Sequence, residues 1–137
     1  MPTKQFDPKD FEAFLALLPK SVNGVALRHV MDVRHPSFDT PDYLALARRY
    51  DCVTVHTDSD KFPNIADANA DFAYLRLLRS AGDCETGYSD ASLDAWATGA
   101  RAWASGTQPR EAFVYFINGA KERAPAAAMA LLARLTA

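Results

Sequence analysis

Four short apolar runs of strand-forming residues alternate with helical stripes along this chain, and that alternation limits the folds open to it more than any other feature. The runs are Val25 to Val33 (VALRHVMDV), Cys52 to Asp58 (CVTVHTD), Phe72 to Leu78 (FAYLRLL) and Ala112 to Ile117. Between and around them, apolar residues recur at the spacing of an amphipathic helix. Pro8 to Leu18 places Phe11, Phe14, Leu15 and Leu18 on one face, with Asp7 able to cap and Pro8 suited to the first position; Pro19 and the turn-like SVNG at Ser21 to Gly24 end it. A second helix opens at Pro41 behind a Thr40 cap and ends near Tyr50. A third carries Leu93, Trp96, Ala97, Ala100, Trp103 and Ala104 on one stripe, with Gly106 placed to stop it. An alanine-rich helix from Pro125 to Leu135 closes the chain, with Ala128, Leu131, Leu132 and Leu135 inward. The stretch Ser59 to Asp71 carries Pro63 and no stripe, so it reads as a loop with room for one short turn of helix. Strands that alternate with helices pair in parallel through right-handed crossovers. The expected class is α/β with a parallel sheet, in one domain over residues 1–137.

Charge and composition narrow the functions. Fifteen Lys and Arg against seventeen Asp and Glu leave a net charge of −2, so nucleic-acid binding through bulk positive charge is not expected. No apolar run approaches the roughly 18 residues of a membrane span, and MPTKQFDPKD has no signal-peptide character, so no membrane partner is expected. Two cysteines in 137 residues are too few for a disulfide framework, and a reducing cytoplasm is the default location. Cys52 opens one strand and Cys84 follows another. The strand length of roughly 20 Å separates the two sheet ends, too far for a disulfide, so both are expected as free thiols.

An ordered set of residues carries a family resemblance. Asp32-Val33-Arg34-His35-Pro36-Ser37-Phe38, then Asp71-Phe72-Ala73-Tyr74-Leu75-Arg76-Leu77, then Tyr88-Ser89 leading to Leu93 and Trp96-Ala97, then Val114-Tyr115-Phe116, resembles the bacterial family known as domain of unknown function 72. The Arg-His-Pro-Ser tetrapeptide is moderately specific and the ordered set much more so. Members are (β/α)8 barrels, and the resemblance implies that this chain corresponds to their C-terminal half, strands five to eight. Met1-Pro2 then falls where members carry Leu-Pro just after the fourth strand. A closed barrel needs eight strands, so four would leave two sheet edges to be covered, by a second copy of the chain or by an N-terminal half-barrel. The chain departs from the family at Asp32 (usually Glu), Phe38 (usually Trp), Leu78-Arg79 (His-Gly) and Ile117-Asn118 (Asn-Asn or Asp-Asn), changes compatible with a decayed or repurposed site.

Barrel enzymes work at the C-terminal ends of their strands. The resemblance therefore points to Asp32, Arg34, His35 and Arg76 as catalytic candidates, and to His56, Asp58, Tyr88 and Asn118 as substrate-binding candidates. Parity supports a convergence: Asp32 and Arg34 share a strand face, as do His56 and Asp58, and Tyr74 and Arg76. Two guanidinium groups suit a small substrate with phosphate or carboxylate, and Asp32 or His35 would be the general acid or base. The same Asp and Arg residues could instead form a scaffold ion pair, and His35 could instead brace the turn into the second helix. Two His and two carboxylates at neighbouring tips could also hold a divalent cation, with His56 and Asp58 as ligands, although no clustered third histidine supports that and no metal is assigned. Tyr88 could close over a ligand or simply pack its loop. His29, of opposite parity to Asp32, is expected to pack against a helix, and Trp96 and Trp103, one heptad apart, to be core residues. Gly24, Gly82, Gly87 and Gly119 make no phosphate-cradling motif, and no cofactor is expected. Two functional expectations follow: descent from a barrel enzyme acting on a small anionic molecule, or a non-catalytic remnant or binding module that pairs with another half-barrel, most simply as a homodimer.

Overall fold

The computed structural model describes residues 3–137 and is an α/β structure with four helices and parallel strand pairing. The Met1-Pro2 correspondence lies outside the described residues. Helix α1 (Pro8–Ala16) begins where Asp7 Oδ1 accepts the backbone N–H groups of Lys9 and Asp10 at 2.9 and 3.1 Å, satisfying two donors that the first helical turn leaves orphaned. Helix α2 (Pro41–Arg49) is capped in the same way by Thr40, whose hydroxyl accepts from Tyr43 N at 3.3 Å. Helix α3 (Asp90–Ala104) is capped by Ser89, and α4 (Ala124–Thr136) follows a 3-10 turn at Lys121–Arg123.

The first expected strand is divided. Ser21–Val22 (β1) and Val25–Ala26 (β2) form an antiparallel hairpin, and only His29–Met31 (β3) joins a parallel pair. The reason is the Asn23-Gly24 turn. Both residues adopt positive φ (50° and 78°), the geometry that matches strand twist in a two-residue hairpin loop, so SVNG builds a turn of its own rather than merely ending α1. The second expected strand is also divided. Cys52–Thr54 (β4) pairs with β3, whereas His56–Thr57 (β5) pairs with Ala73–Leu77 (β6). Val55, between them, donates its N–H to the Met31 carbonyl at 2.9 Å, and the chain changes partner there. Ala112–Phe116 (β7) lies parallel to β6 over five residues, from Ala73 opposite Ala112 to Leu77 opposite Phe116. Residues 58–72, between β5 and β6, hold turns and coil with no helix or strand, as their lack of a stripe implies.

Two apolar cores result. In the first, Leu15 of α1 and Tyr43, Leu46 and Ala47 of α2 close over Cys52, Phe38 and Ile65. Phe6, Phe11, Phe38 and Tyr43 meet there at ring-centroid separations of 5.3–5.9 Å, mostly edge to face. The Tyr43 hydroxyl meets Thr54 Oγ1 at 2.9 Å, so its buried polar end is partnered; burial pushes its pKa up to about 12. In the second core, α3 and α4 seat Leu93, Ala97, Ala127 and Leu131 against Leu77 of β6. The indoles are not core residues: both are half-buried, with Trp96 at the edge of the second core and Trp103 donating Nε1–H to the Glu111 carbonyl at 3.1 Å beneath the Arg110 guanidinium, 3.5 Å from its ring centroid. A stripe at helical spacing needs only one wall to pack on, and here that wall ends before it covers either indole. His29 bonds to the Pro19 carbonyl through Nε2 at 2.8 Å, fastening the exit of α1 rather than packing on a helix. Cys52 is buried, Cys84 half-buried, and both are free thiols.

The ends of β6 and β7 are tied by backbone. Ser80 and Gly119 form a bridge, with Ala120 N–H donating to the Ser80 carbonyl at 2.8 Å. Gly119 has φ +77°, and a Cβ there would lie 2.2 Å from the Ser80 oxygen, so no other residue fits without moving the backbone. Ser80 Oγ–H donates to the Asn118 carbonyl at 2.6 Å. Two substitutions probe these features. Leu77→Ala should lower unfolding stability by about 2–5 kcal/mol through cavity formation. Gly119→Ala should cost at least about 1–3 kcal/mol through strain alone. Urea denaturation monitored by circular dichroism reads both, and a Gly119→Ala protein of unchanged midpoint would show that the approach to Ser80 relaxes freely.

Candidate functional site

The alternation of β6 and β7 sends successive side chains to opposite sides. Ala73, Leu75, Leu77, Val114 and Phe116 lie on the side of α3 and α4; Tyr74, Arg76, Tyr115 and Ile117 line a groove on the other side together with Val30, Asp32 and Val55. That second groove has a volume of about 290 Å³. Tyr74 and Tyr115 stack in it at 5.0 Å, and Tyr115 is 43% exposed.

Three sequence candidates meet at its rim. Arg34 grips Asp32 with two N–H groups, Nε to Oδ1 at 3.3 Å and Nη2 to Oδ2 at 2.9 Å, and Arg76 Nη1 reaches the same Oδ2 from β6. Asp32 and Arg34 follow β3 in sequence, so the contact spans two separate parallel pairs. The hydrogen bonds that Arg34 donates to Asp32 are the main reason its pKa rises above its already high ordinary value. The Phe62 ring lies under the Arg34 guanidinium, 4.9 Å from centroid to Cζ. One carboxylate faces two guanidinium groups, which leaves a local charge of +1 and several N–H donors beyond those Asp32 uses. Such a cluster can receive an oxyanion. It is less suited to proton transfer through Asp32, because both carboxylate oxygens are already engaged.

The other candidates are placed elsewhere. His35 caps the 3-10 turn Pro36–Phe38: its Nδ1 accepts from Ser37 N–H at 3.2 Å and lies 2.8 Å from Ser37 Oγ. Ser37 Oγ also accepts from Phe6 N–H at 2.8 Å, so the His35 ring is tied into the turn through Nδ1. This is the bracing role. Asp58 accepts from Leu78 N–H at 2.6 Å through Oδ1 and from the Tyr88 hydroxyl at 2.7 Å through Oδ2, while Tyr88 Oη accepts from Arg79 N–H at 2.9 Å. Tyr88 is buried, and burial followed by the Asp58 contact raises its pKa far above the tyrosine range. It therefore pins the loop that leads into α3. His56 turns to the helix side, edge-on to Trp96 at 6.0 Å. Asp58 also lies toward Trp96, and its charge reaches His56, but among the described residues no group of three or more His, Cys, Asp or Glu is gathered for a metal ion. Asn118 is exposed at the end of β7, and its backbone carbonyl, not its side chain, makes the contact with Ser80.

Phe62 and the Tyr74–Tyr115 stack were not singled out as site residues. Tyr74 shares parity with Arg76, which was a usable signal; Phe62 sits in a loop without periodicity and offered none.

The protein-family model described as "Protein of unknown function DUF72" matches residues 1–137. The chain belongs to the DUF72 family. The crystal structure of a DUF72 protein from Thermotoga maritima is similar to it, with a TM-score of 0.66 at 19% sequence identity, over 96% of this chain and 53% of the other. This DUF72 chain thus spans about half the length of that relative, and at this identity the likeness concerns the fold. No curated protein matches it.

His56 gives the site region a testable pH response. Burial is the main cause that pulls its pKa below 6.5, against the Ile65 backbone and the Asp58 charge, which raise it. The folded protein therefore binds this proton less readily than the unfolded chain. The stability involved is present above the unfolded pKa and declines as pH falls through it towards the lower folded value. The urea midpoint should drop between about pH 7 and pH 5.5, and His56→Gln should flatten that decline. Parallel profiles for the two proteins would remove His56 as its source.

Proposed function

We propose that the chain is the C-terminal half, strands five to eight, of a (β/α)8 barrel, and that Asp32, Arg34 and Arg76 form the anion-gripping part of a site for a small phosphorylated or carboxylated molecule. In this reading β3, β4/β5, β6 and β7 are the four barrel strands, and the groove lined by Tyr74 and Tyr115 belongs to the barrel interior. The likeness to about half of a longer DUF72 structure supports the architecture. The observation that carries the site is the convergence of Arg34, just past β3, and Arg76, near the end of β6, on one carboxylate, in the region where barrel enzymes place their chemistry. Asp32 positions the two guanidinium groups, and the remaining N–H donors hold the substrate. His35, Asp58 and Tyr88 hold the surrounding loops, and Asn118 supplies an additional hydrogen-bonding group at the end of β7. His56 faces the helix side of the sheet and takes no part in this work.

A second reading, a binding module that pairs with another half-barrel as a homodimer or with an N-terminal half, is favoured by the exposed aromatic groove. The family's polar residues are also replaced at Leu78 and Ile117.

Calorimetric titration with inorganic phosphate and with citrate, alongside Arg34→Ala and Arg76→Ala, tests the site. The expected result is saturable anion binding by the native chain, a loss of at least about tenfold in either variant, and unfolding midpoints that stay close to native. Absence of anion binding, together with a loss of several kcal/mol on either substitution, would identify the cluster as a structural ion pair. Light scattering over a range of concentrations addresses the second reading, for which a dimer is expected and a strict monomer would count against self-pairing.

A further inference from the structure

A mostly apolar cavity lies on the opposite side of the sheet from the anion cluster. It has a volume of about 320 Å³ and exists because the connection between β5 and β6 lacks a helix. Where helices α3 and α4 cover β6 and β7, this part of the sheet is covered by the coil around Ile65, the flank of α3 and Leu131 of α4. The size falls at the lower end of the range for small-molecule sites.

Three independent features of the wall describe a ligand. Trp96, Gly99 and Trp103 follow one another on the same face of α3, at spacings of three and four residues, and line the cavity. A Cβ placed on Gly99 would meet nothing within 4 Å, so this exposed glycine leaves open space on the helix face that also carries both indoles. A mid-helix glycine costs about 1 kcal/mol relative to alanine, and no close contact in the structure requires it. The second feature is charge. The acidic group in the wall, Asp67, is paired with Arg48, and the Thr54 hydroxyl is engaged by Tyr43, so a charged guest would lose its hydration without recompense. The third is His56, set edge-on to Trp96. Burial favours its neutral ring and the Ile65 backbone faces it, which leaves one ring nitrogen as an acceptor.

The geometry points to a binding site for a flat, uncharged, apolar molecule bearing one hydrogen-bond donor, held between Trp96 and Trp103 over Gly99 with its donor on His56. The site is separate from the anion cluster and does not depend on it.

The probe is 2-naphthol at pH 7.5, with naphthalene as the analogue that lacks the donor, both titrated by quenching of the Trp96 and Trp103 fluorescence. The native chain should bind one equivalent of 2-naphthol saturably. Gly99→Leu, which fills the space while favouring helix, should weaken binding at least tenfold with its helical circular dichroism retained. His56→Phe keeps the wall apolar and should erase most of the preference for 2-naphthol over naphthalene, a loss of about fivefold. Arg76→Ala should bind the probe like the native chain. Non-saturable quenching, undiminished binding by a folded Gly99→Leu, or an unchanged 2-naphthol preference in His56→Phe would each overturn the proposal. Should Gly99→Leu fail to fold, the His56→Phe preference decides alone.

Discussion

The pairing of β6 with β7 governs both faces of this structure. Five residues on each strand are matched in parallel, and the side-chain period of two leaves no intermediate arrangement. In the observed register Leu77 meets Leu93, Ala97 and Leu131 beneath the helices while Arg76 emerges beside Asp32. A slip of one residue would bury a guanidinium among leucines and expose Leu77 to water, and the cost of an unpaired buried charge far exceeds what the strand hydrogen bonds could return. The backbone bridge between Ser80 and Gly119 adds a second lock just beyond the strand ends. The cluster of Asp32, Arg34 and Arg76 is thus a consequence of how the opposite face packs.

Local chemistry was readable where it acts within a few residues. Asp7-Pro8, Thr40-Pro41 and Ser89 announce helix starts because a cap needs only its own side chain and the next turn of backbone. The missing helix in residues 59–71 was readable for the same reason. Strand boundaries were not, and the two divided strands show why. Asn23-Gly24 reads as the end of a helix, yet its dihedral preferences create a hairpin, and the change of partner at Val55 depends on two neighbours far along the chain. For the candidate site, period-two parity was enough to group Asp32 with Arg34, and the resemblance added Arg76. The roles of His35, Asp58 and Tyr88 depend on Phe6, Leu78 and Arg79, contacts that no spacing encodes.

Family membership and chemistry give different kinds of information here. The match to DUF72 covers the chain, and the solved relative extends to nearly twice the length that this chain accounts for. A shared architecture does not bring an activity with it. The chemical content resides in particular contacts: a carboxylate shared by two guanidinium groups, an imidazole whose Nδ1 is committed to a turn, and a tyrosine hydroxyl that both accepts from backbone and donates to Asp58.

The apolar cavity also occupies a mechanical position. Ile65 belongs to the first core, Leu131 to the second, and both line the same space. The two cores therefore meet across a gap, while the covalent chain passes between their sheets at Val55. Along that line the two cores share open space rather than packed side chains, so cooperativity should be weakest there and hydrogen exchange should separate into two protection classes. Whatever fills the gap adds an apolar link between two units that are otherwise joined by the crossing at Val55 and by ion pairs such as Asp32 with Arg76.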